Sequence, residues 1–221
     1  IEGLSEAHRS LSSPPQISID TTKAAVARAA LAAGATLIND VSALRADPAM
    51  AAVVAESGAD CCLMHMRGEP RTMQEDPRYR DVLGEVRAFL EERLGFAVAE
   101  GVARERIMLD PGIGFGKSEA HNLELLRRLG ELADIGQPIV IGTSRKGFLG
   151  RIQARAAGTR EPGPPAGRLA GTIASNVLAY ERGASVFRVH DVAPLRDALA
   201  VTAATLGATW TASSTGTTPT T

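Results

Sequence analysis

The chain has 221 residues, 44% apolar and 22% charged, with a formal net charge of -1 from 24 basic and 25 acidic side chains. That length suits one globular domain with a real core. The charge balance excludes the electrostatic footprint of a nucleic-acid or anionic-membrane binder, and no apolar run approaches the roughly 20 residues that span a bilayer.

In chain order, compact apolar runs alternate with amphipathic stretches. Strands are expected at QISID (16–20), TLIND (36–40), CCLMH (61–65), IMLD (107–110), PIVIGTS (138–144) and SVFRVH (185–190). Each is bounded by turn residues, as in strands buried on both faces. Thr22 is the expected cap of the helix in KAAVARAALAA, with Gly34 at its C′ position. Asp47 and Pro48 read as the N-cap and first residue of the next helix, which should stop at Gly58. Ser118 should cap EAHNLELLRRL, with Glu119 in the first turn favoured by the helix dipole. A helix is expected from about Arg168 to Arg182, ending at Gly183, and a last one from Pro194 to about Gly207. The residues Thr211–Thr221 are small and polar and read as a disordered tail after a domain covering 1–210.

Strand–helix alternation leaves a doubly wound sheet or a (β/α)8 barrel. Asp20, Asn39, His65, Asp110, Ser144 and His190 each fall at the C-terminal end of a different strand. Polar tips on every strand suit a barrel, whose strand ends share one mouth, better than a sheet with one switch point. Six β/α units are countable where a complete TIM barrel has eight, and the chain opens on Ile rather than Met. Two units are therefore expected to be missing before the first strand, so the fold class is a TIM-type α/β barrel, incomplete in this chain. The opening IEGLSEAHRS has neither a basic head nor an apolar core, so no signal peptide is expected. Cys61 and Cys62 are adjacent on a strand and should point to opposite faces, unpaired, in a reducing cytoplasmic setting.

The richest string is DPGIGFGKS (110–118). It misses the phosphate-binding GxxxxGK[ST] pattern because Pro111 stands where the first glycine should be. Gly112, Gly114 and Gly116 after a strand describe either a tight turn or a backbone that approaches a ligand closely. Asp110 beside that backbone can accept hydrogen bonds from an amine or guanidine-like edge. Asp20 and Asn39 together would suit a flat aminopyrimidinone ring, or organise their own turns through Asx-type bonds. Of Arg145 and Lys146, one is expected to point into the mouth. Lys146 as a Schiff-base lysine finds no support, since nothing near it in sequence suggests a lowered pKa. Arg188 and His190 alternate onto one strand face, where they would be costly without an anion. The 66–79 stretch is long for a connection at that face, either functional or plain surface. His65 reads as a core histidine, and His8 and His121 as surface residues.

Assembled in order, SIDTTKAAVARAALAAGATLINDVS (18–42), LMHMRGEPRTMQ (63–74), LDPGIGFGKS (109–118), GTSRKGFLG (142–150) and RLAGTIASNVLAYERGASVFRVHDV (168–192) make the chain resemble dihydropteroate synthase, a folate-pathway family built on a pterin-binding barrel. The resemblance implies a transferase that joins 6-hydroxymethyl-7,8-dihydropterin diphosphate to p-aminobenzoate, giving 7,8-dihydropteroate and diphosphate, with Mg²⁺ as cofactor. It assigns Asp20, Asn39, Asp110 and Lys146 to the pterin, and Arg188 with His190 to the diphosphate. Phe115 and Lys146 border the p-aminobenzoate pocket, where sulfonamides compete, and Gly114 is a further substrate-binding residue. A homodimer is implied, with small-molecule substrates only. The family's first strand, which carries an Asn motif and the metal ligand, and the second strand with its loop have no counterpart in this sequence. The chain alone is therefore expected to bind pterin weakly or not at all, without turnover. The alternatives are a catalytically degenerate pterin-binding protein and a pterin-dependent methyltransferase domain. Diphosphate release suits the Arg188/His190 pair and the SRKGFLG string better than methyl transfer.

Overall fold

The computed structural model describes residues 1, 3–5, 15–69 and 71–208. The expected tail at 211–221, and His8, lie outside the described residues. Six strands are described: β1 (Ser18–Asp20), β2 (Leu37–Asp40), β3 (Asp60–Met64), β4 (Ile107–Asp110), β5 (Ile139–Ile141) and β6 (Ala184–Phe187). All pair in parallel, and their order in the sheet is their order in sequence. A doubly wound sheet must reverse that order at its switch point. A barrel winds one way only, and this sheet does the same. Its curl brings the two ends within reach of one another, because the Arg188 guanidinium just past β6 pairs with the Asp20 carboxylate on β1.

The central strands β2–β5 are buried on both faces for two different reasons. Ile38, Cys61, Leu63, Ile107, Leu109, Ile139 and Ile141 alternate outward into the main core beneath the helices. Cys62, Met108 and Val140 point inward and form a separate small cluster. The adjacent cysteines therefore face opposite sides of the sheet, and both are free. The register pairs Asp20 with Asn39, Asn39 with Cys62, and Cys62 with Met108. Asp20 and Asn39 thus share the inward face with that cluster, and Asp110, two residues beyond Met108, lies one pleat higher.

The helices are α1 (Ala24–Ala32), α2 (Met50–Ser57), α3 (Val82–Ala99), α4 (Glu119–Arg127), α5 (Gly130–Ala133), α6 (Gly147–Ala156), α7 (Leu169–Glu181) and α8 (Val192–Thr205). Among the described residues no helix is long and apolar enough to cross a membrane. In α1 the buried residues are Ala24, Ala27 and Ala30, a stripe at helical spacing small enough for close approach to the sheet. Thr22 does not cap this helix. The Ala24 amide instead donates to the Asp47 carboxylate at 2.8 Å, from the loop before α2. Asp47 is correspondingly not the N-cap of α2, which begins at Met50. Its second oxygen accepts from the Ala49 amide at 3.0 Å, so one carboxylate ties two neighbouring units together. These backbone N–H donors hold the Asp47 carboxyl below the usual carboxylate range.

Other boundaries agree with the sequence. Gly58 ends α2 in a left-handed conformation. Ser118 caps α4 as expected, but its reciprocal partner is His121, whose Nδ1 accepts from the Ser118 amide at 3.2 Å. His121 is therefore half-buried in a capping box and edge-on to Tyr79 at 4.9 Å, rather than a plain surface residue. Helix α8 begins at Val192, two residues before Pro194. Proline is tolerated in a first turn because its missing N–H would be unpaired there anyway.

Candidate active site

The C-terminal ends of the strands carry the polar residues to one mouth. On β1 and β2 the Asn39 amide donates to the Asp20 carboxylate at 2.8 Å, while Arg188 engages its other oxygen. Asn39 is buried, whereas Asp20 and Arg188 keep about half their side-chain surface exposed. At the end of β4, Asp110 is 8% exposed and accepts from the Gly112 amide at 2.6 Å. Burial raises its carboxyl pKa, against the opposing pull of that amide, Lys146, Lys117 and Arg188.

The glycine-rich loop from 110 to 118 is shaped by close approach. Gly112 has a φ of +68°, and a Cβ there would collide with the His65 carbonyl oxygen. A Cβ on Gly116 would collide with the carbonyl of Arg67. The long 66–79 connection thus packs directly against this loop. Gln74 donates to the Gly114 carbonyl at 2.5 Å and the Tyr79 hydroxyl to the Gly116 carbonyl at 2.8 Å. From the other side, the Gly114 amide donates to Asn122 Oδ1 of α4 at 2.6 Å.

Lys146 rather than Arg145 turns into the mouth. Its Nζ donates to the Ile113 carbonyl and lies 4.5 Å from the centre of the Phe115 ring. Burial pulls the Lys146 amine down to about 8, with Asp110 opposing and Arg188 adding to the shift. Sequence alone showed no cause for a lowered pKa, because the cause is the burial. Arg145 turns away to a two-pronged ion pair with Asp191, at 2.7 and 3.0 Å.

Strand β6 is shorter than its apolar run. The Arg188 amide still pairs with the Ile141 carbonyl at 2.9 Å, but the chain then bends toward α8. Arg188 and His190 are therefore not neighbours on one buried strand face. Both are exposed, Arg188 directed at Asp20, and His190 Nδ1 at the Ser144 hydroxyl 2.8 Å away. The expected β5 likewise stops at Ile141, since the chain turns at Ser144 and Arg145, where Arg145 takes a left-handed φ of 58°.

One pair escaped the sequence reading. Lys117, of the glycine-rich loop, is 2% exposed, and its Nζ lies 2.8 Å from His65 Nδ1 and 3.0 Å from the Phe115 carbonyl. Burial is the main cause that pulls the lysine down to about 7 and the histidine down to about 3. His65 is a core histidine as expected, edge-on to Phe89 at 4.9 Å. Its neutral ring accepts from the lysine. No spacing rule links positions 65 and 117; the β3–β4 adjacency makes the pair.

Among the described residues no group of three or more His, Cys, Asp or Glu side chains is placed to hold a metal ion. Asp20 is already engaged by Asn39 and Arg188, and Asp110 by a backbone amide. The described residues do not fit a magnesium site.

Comparison with known proteins agrees with this geometry. The family profile described as "Pterin binding enzyme" matches residues 4–190. The dihydropteroate synthase of Mycobacterium leprae is 50% identical over 193 residues, which is 87% of this chain and 67% of that protein. That of Escherichia coli is 41% identical over 192 residues, 87% of this chain and 65% of that protein. The solved dihydropteroate synthase from Xanthomonas albilineans in complex with 7,8-dihydropteroate superposes with a TM-score of 0.78 at 43% identity, covering 86% of this chain and 67% of the other. The chain thus spans about two thirds of the length of its curated relatives. With the family profile matched over most of its length and the strand-end residues gathered at one mouth, the chain belongs to the pterin-binding enzyme family.

Proposed function

We propose that this chain is the larger part of a dihydropteroate synthase, a transferase that condenses 6-hydroxymethyl-7,8-dihydropterin diphosphate with p-aminobenzoate. The observation that carries the reading is the convergence of Asp20, Asn39, Asp110, Lys146 and Arg188 on one end of a single-wound parallel sheet. Buried Asp110 and Asn39 offer an acceptor and a mixed donor–acceptor to the edge of a flat pterin, with Lys146 above the glycine-rich loop. Arg188 and His190, both exposed at the rim, receive the diphosphate. Gly114 and Phe115, beside Lys146, border the aryl amine.

An aryl amine is a weak nucleophile, so the chemistry depends on departure of the leaving group. Arg188 is the natural stabiliser of charge building on the diphosphate oxygens. For it to turn to that anion it must loosen its pairing with Asp20, which then faces the developing positive charge on the pterin methylene together with Asp110. No side chain needs to act as a covalent nucleophile; the Ser144 hydroxyl, 2.8 Å from His190 Nδ1, orients that ring toward the diphosphate. Magnesium has no ligand set among the described residues.

The exposed Leu178, Val192 and Val201 on the adjoining α7 and α8, with Leu206 just past α8, support a homodimer, which sedimentation of the intact protein tests. The two buried free thiols support a reducing, cytoplasmic setting. The decisive experiment is the assay of dihydropteroate formation by the intact protein from its two substrates. The expected result is turnover that collapses in Arg188→Ala. An intact protein that binds the pterin diphosphate but never joins its pterin methylene to the aryl amine with release of free diphosphate overturns the reading. The 221-residue chain alone, which spans about two thirds of its relatives' length, is expected to give no turnover.

A further inference from the structure

Helix α7 and the residue before it turn an unusual face to the 143–146 loop. Arg168, Thr172, Ser175 and Asn176 fall at spacings of four, three and one, which places them on one helical side. Such a packed side is ordinarily apolar. Thr172, Ser175 and Asn176 are nevertheless buried.

Each of the four makes a bond that reaches the loop or braces one that does. The Arg145 amide donates to Thr172 Oγ1 at 3.0 Å, and Arg168 Nη1 donates to the Arg145 carbonyl at 2.8 Å. The Thr172 hydroxyl in turn donates to the Arg168 carbonyl at 2.9 Å. Asn176 Nδ2 donates to Thr143 Oγ1 at 2.9 Å and to the Thr172 carbonyl at 2.7 Å, and the Ser175 and Thr143 hydroxyls are 2.8 Å apart. Both backbone polar groups of Arg145 are thus held by the helix.

Arg145 is one of three non-glycine residues with positive φ among the described residues. Left-handed backbone is disfavoured for a long side chain and persists where surroundings impose it. Here it has a visible consequence, because it sends three successive side chains to three different partners. Ser144 meets His190, Arg145 meets Asp191, and Lys146 meets the Ile113 carbonyl.

We infer that Thr172, with Arg168, is a positioning residue: it clamps Arg145 in its left-handed conformation and so sets where Lys146 and the Ser144–His190 pair meet the ligand. The inference rests on the synthase reading of the mouth for its kinetic consequence, and on the clamp alone for its structural one. Thr172→Val keeps the side-chain shape and removes both bonds of the hydroxyl. Thr172→Ser restores the hydroxyl, and Arg168→Met releases the carbonyl of Arg145 at a half-exposed site should the valine variant fail to fold.

In the intact protein, Thr172→Val and Arg168→Met should lower kcat/KM roughly tenfold or more, because a misplacement of even about 1 Å in a positioning group can cost about a hundredfold. Thr172→Ser should return to within about twofold of the parent. Amide hydrogen exchange of residues 143–147 should quicken in the first two variants and match the parent in the third. Parent-like kinetics and exchange in Thr172→Val, or a Thr172→Ser no better than Thr172→Val, would overturn the clamp. A parent that shows no turnover while the exchange pattern follows the hydroxyl counts against the synthase reading and leaves the clamp standing.

Discussion

Lys117 is the largest fully buried side chain described, and its burial makes a quantitative prediction. In the fold, burial brings its amine from the ordinary 10.5 down to about 7, with Asp110 opposing and Lys146 and Arg67 adding. In the unfolded chain the amine keeps its ordinary value. Between those two pH values the unfolded chain holds a proton that the folded chain has released, so stability rises with pH across the window. Each pH unit contributes at most about 1.4 kcal/mol. The 10.5-to-about-7 shift therefore amounts to several kcal/mol, on the order of 5, gained between neutral pH and the end of the window. Lys117→Met abolishes this contribution. Urea unfolding of parent and variant at half-unit pH intervals isolates it, because Cys61, Cys62, Tyr79 and Lys146 titrate in both proteins and cancel in the difference. The parent-minus-variant stability should climb by about 1 kcal/mol per pH unit between roughly pH 7.5 and 9.5. Two parallel stability curves would refute the reasoning, since the folded lysine would then be keeping its proton throughout.

Three further perturbations probe the mouth and its supports. Gly112→Ala places a Cβ inside the His65 carbonyl at a φ of +68°, and should cost about 3 kcal/mol or more by thermal unfolding, with loss of pterin binding. Asp110→Asn removes a buried carboxylate whose pKa is raised chiefly by desolvation, so the thermal midpoint should hold or rise at neutral pH. In the intact protein, calorimetric affinity for a pterin should nevertheless fall about a hundredfold, as a charged acceptor is replaced by a neutral amide. Asp47→Ala removes the carboxylate that accepts from Ala24 and Ala49, and should lower the thermal midpoint at neutral pH. Because the folded carboxyl is held below its unfolded value, that stabilisation is present above the unfolded pKa near 3.8 and is lost as pH falls through the folded one. The gap between Asp47→Ala and parent should therefore close in acid.

What could be read from the chain itself was periodic or covalently local. The six apolar runs, the glycines that close helices, and the cap at Ser118 depend on residues a few positions apart, and the structure places them much as expected. The single-wound order followed from polar tips on successive strands, since only a shared mouth gives every strand end a use. Asp20, Asn39 and Asp110 were legible as such tips, whereas Arg188 was singled out by an alternation with His190 that the bend after β6 breaks.

Tertiary structure alone decided the contacts that join distant segments. The cap of α1 comes from Asp47, 23 residues on, because a neighbouring loop offers a better-placed carboxylate than Thr22. Strand β6 ends at Phe187 because the chain must bend toward α8, which splits Arg188 and His190 between different partners. Lys117 became a buried donor to His65 only when β3 and β4 lay side by side, and Arg145 was left-handed only once α7 held both its backbone groups. Periodicity records which face of an element is buried. It carries no information about which polar atom of another element waits there, and desolvation, which moves the pKa values of this mouth, exists only after the chain has closed around it.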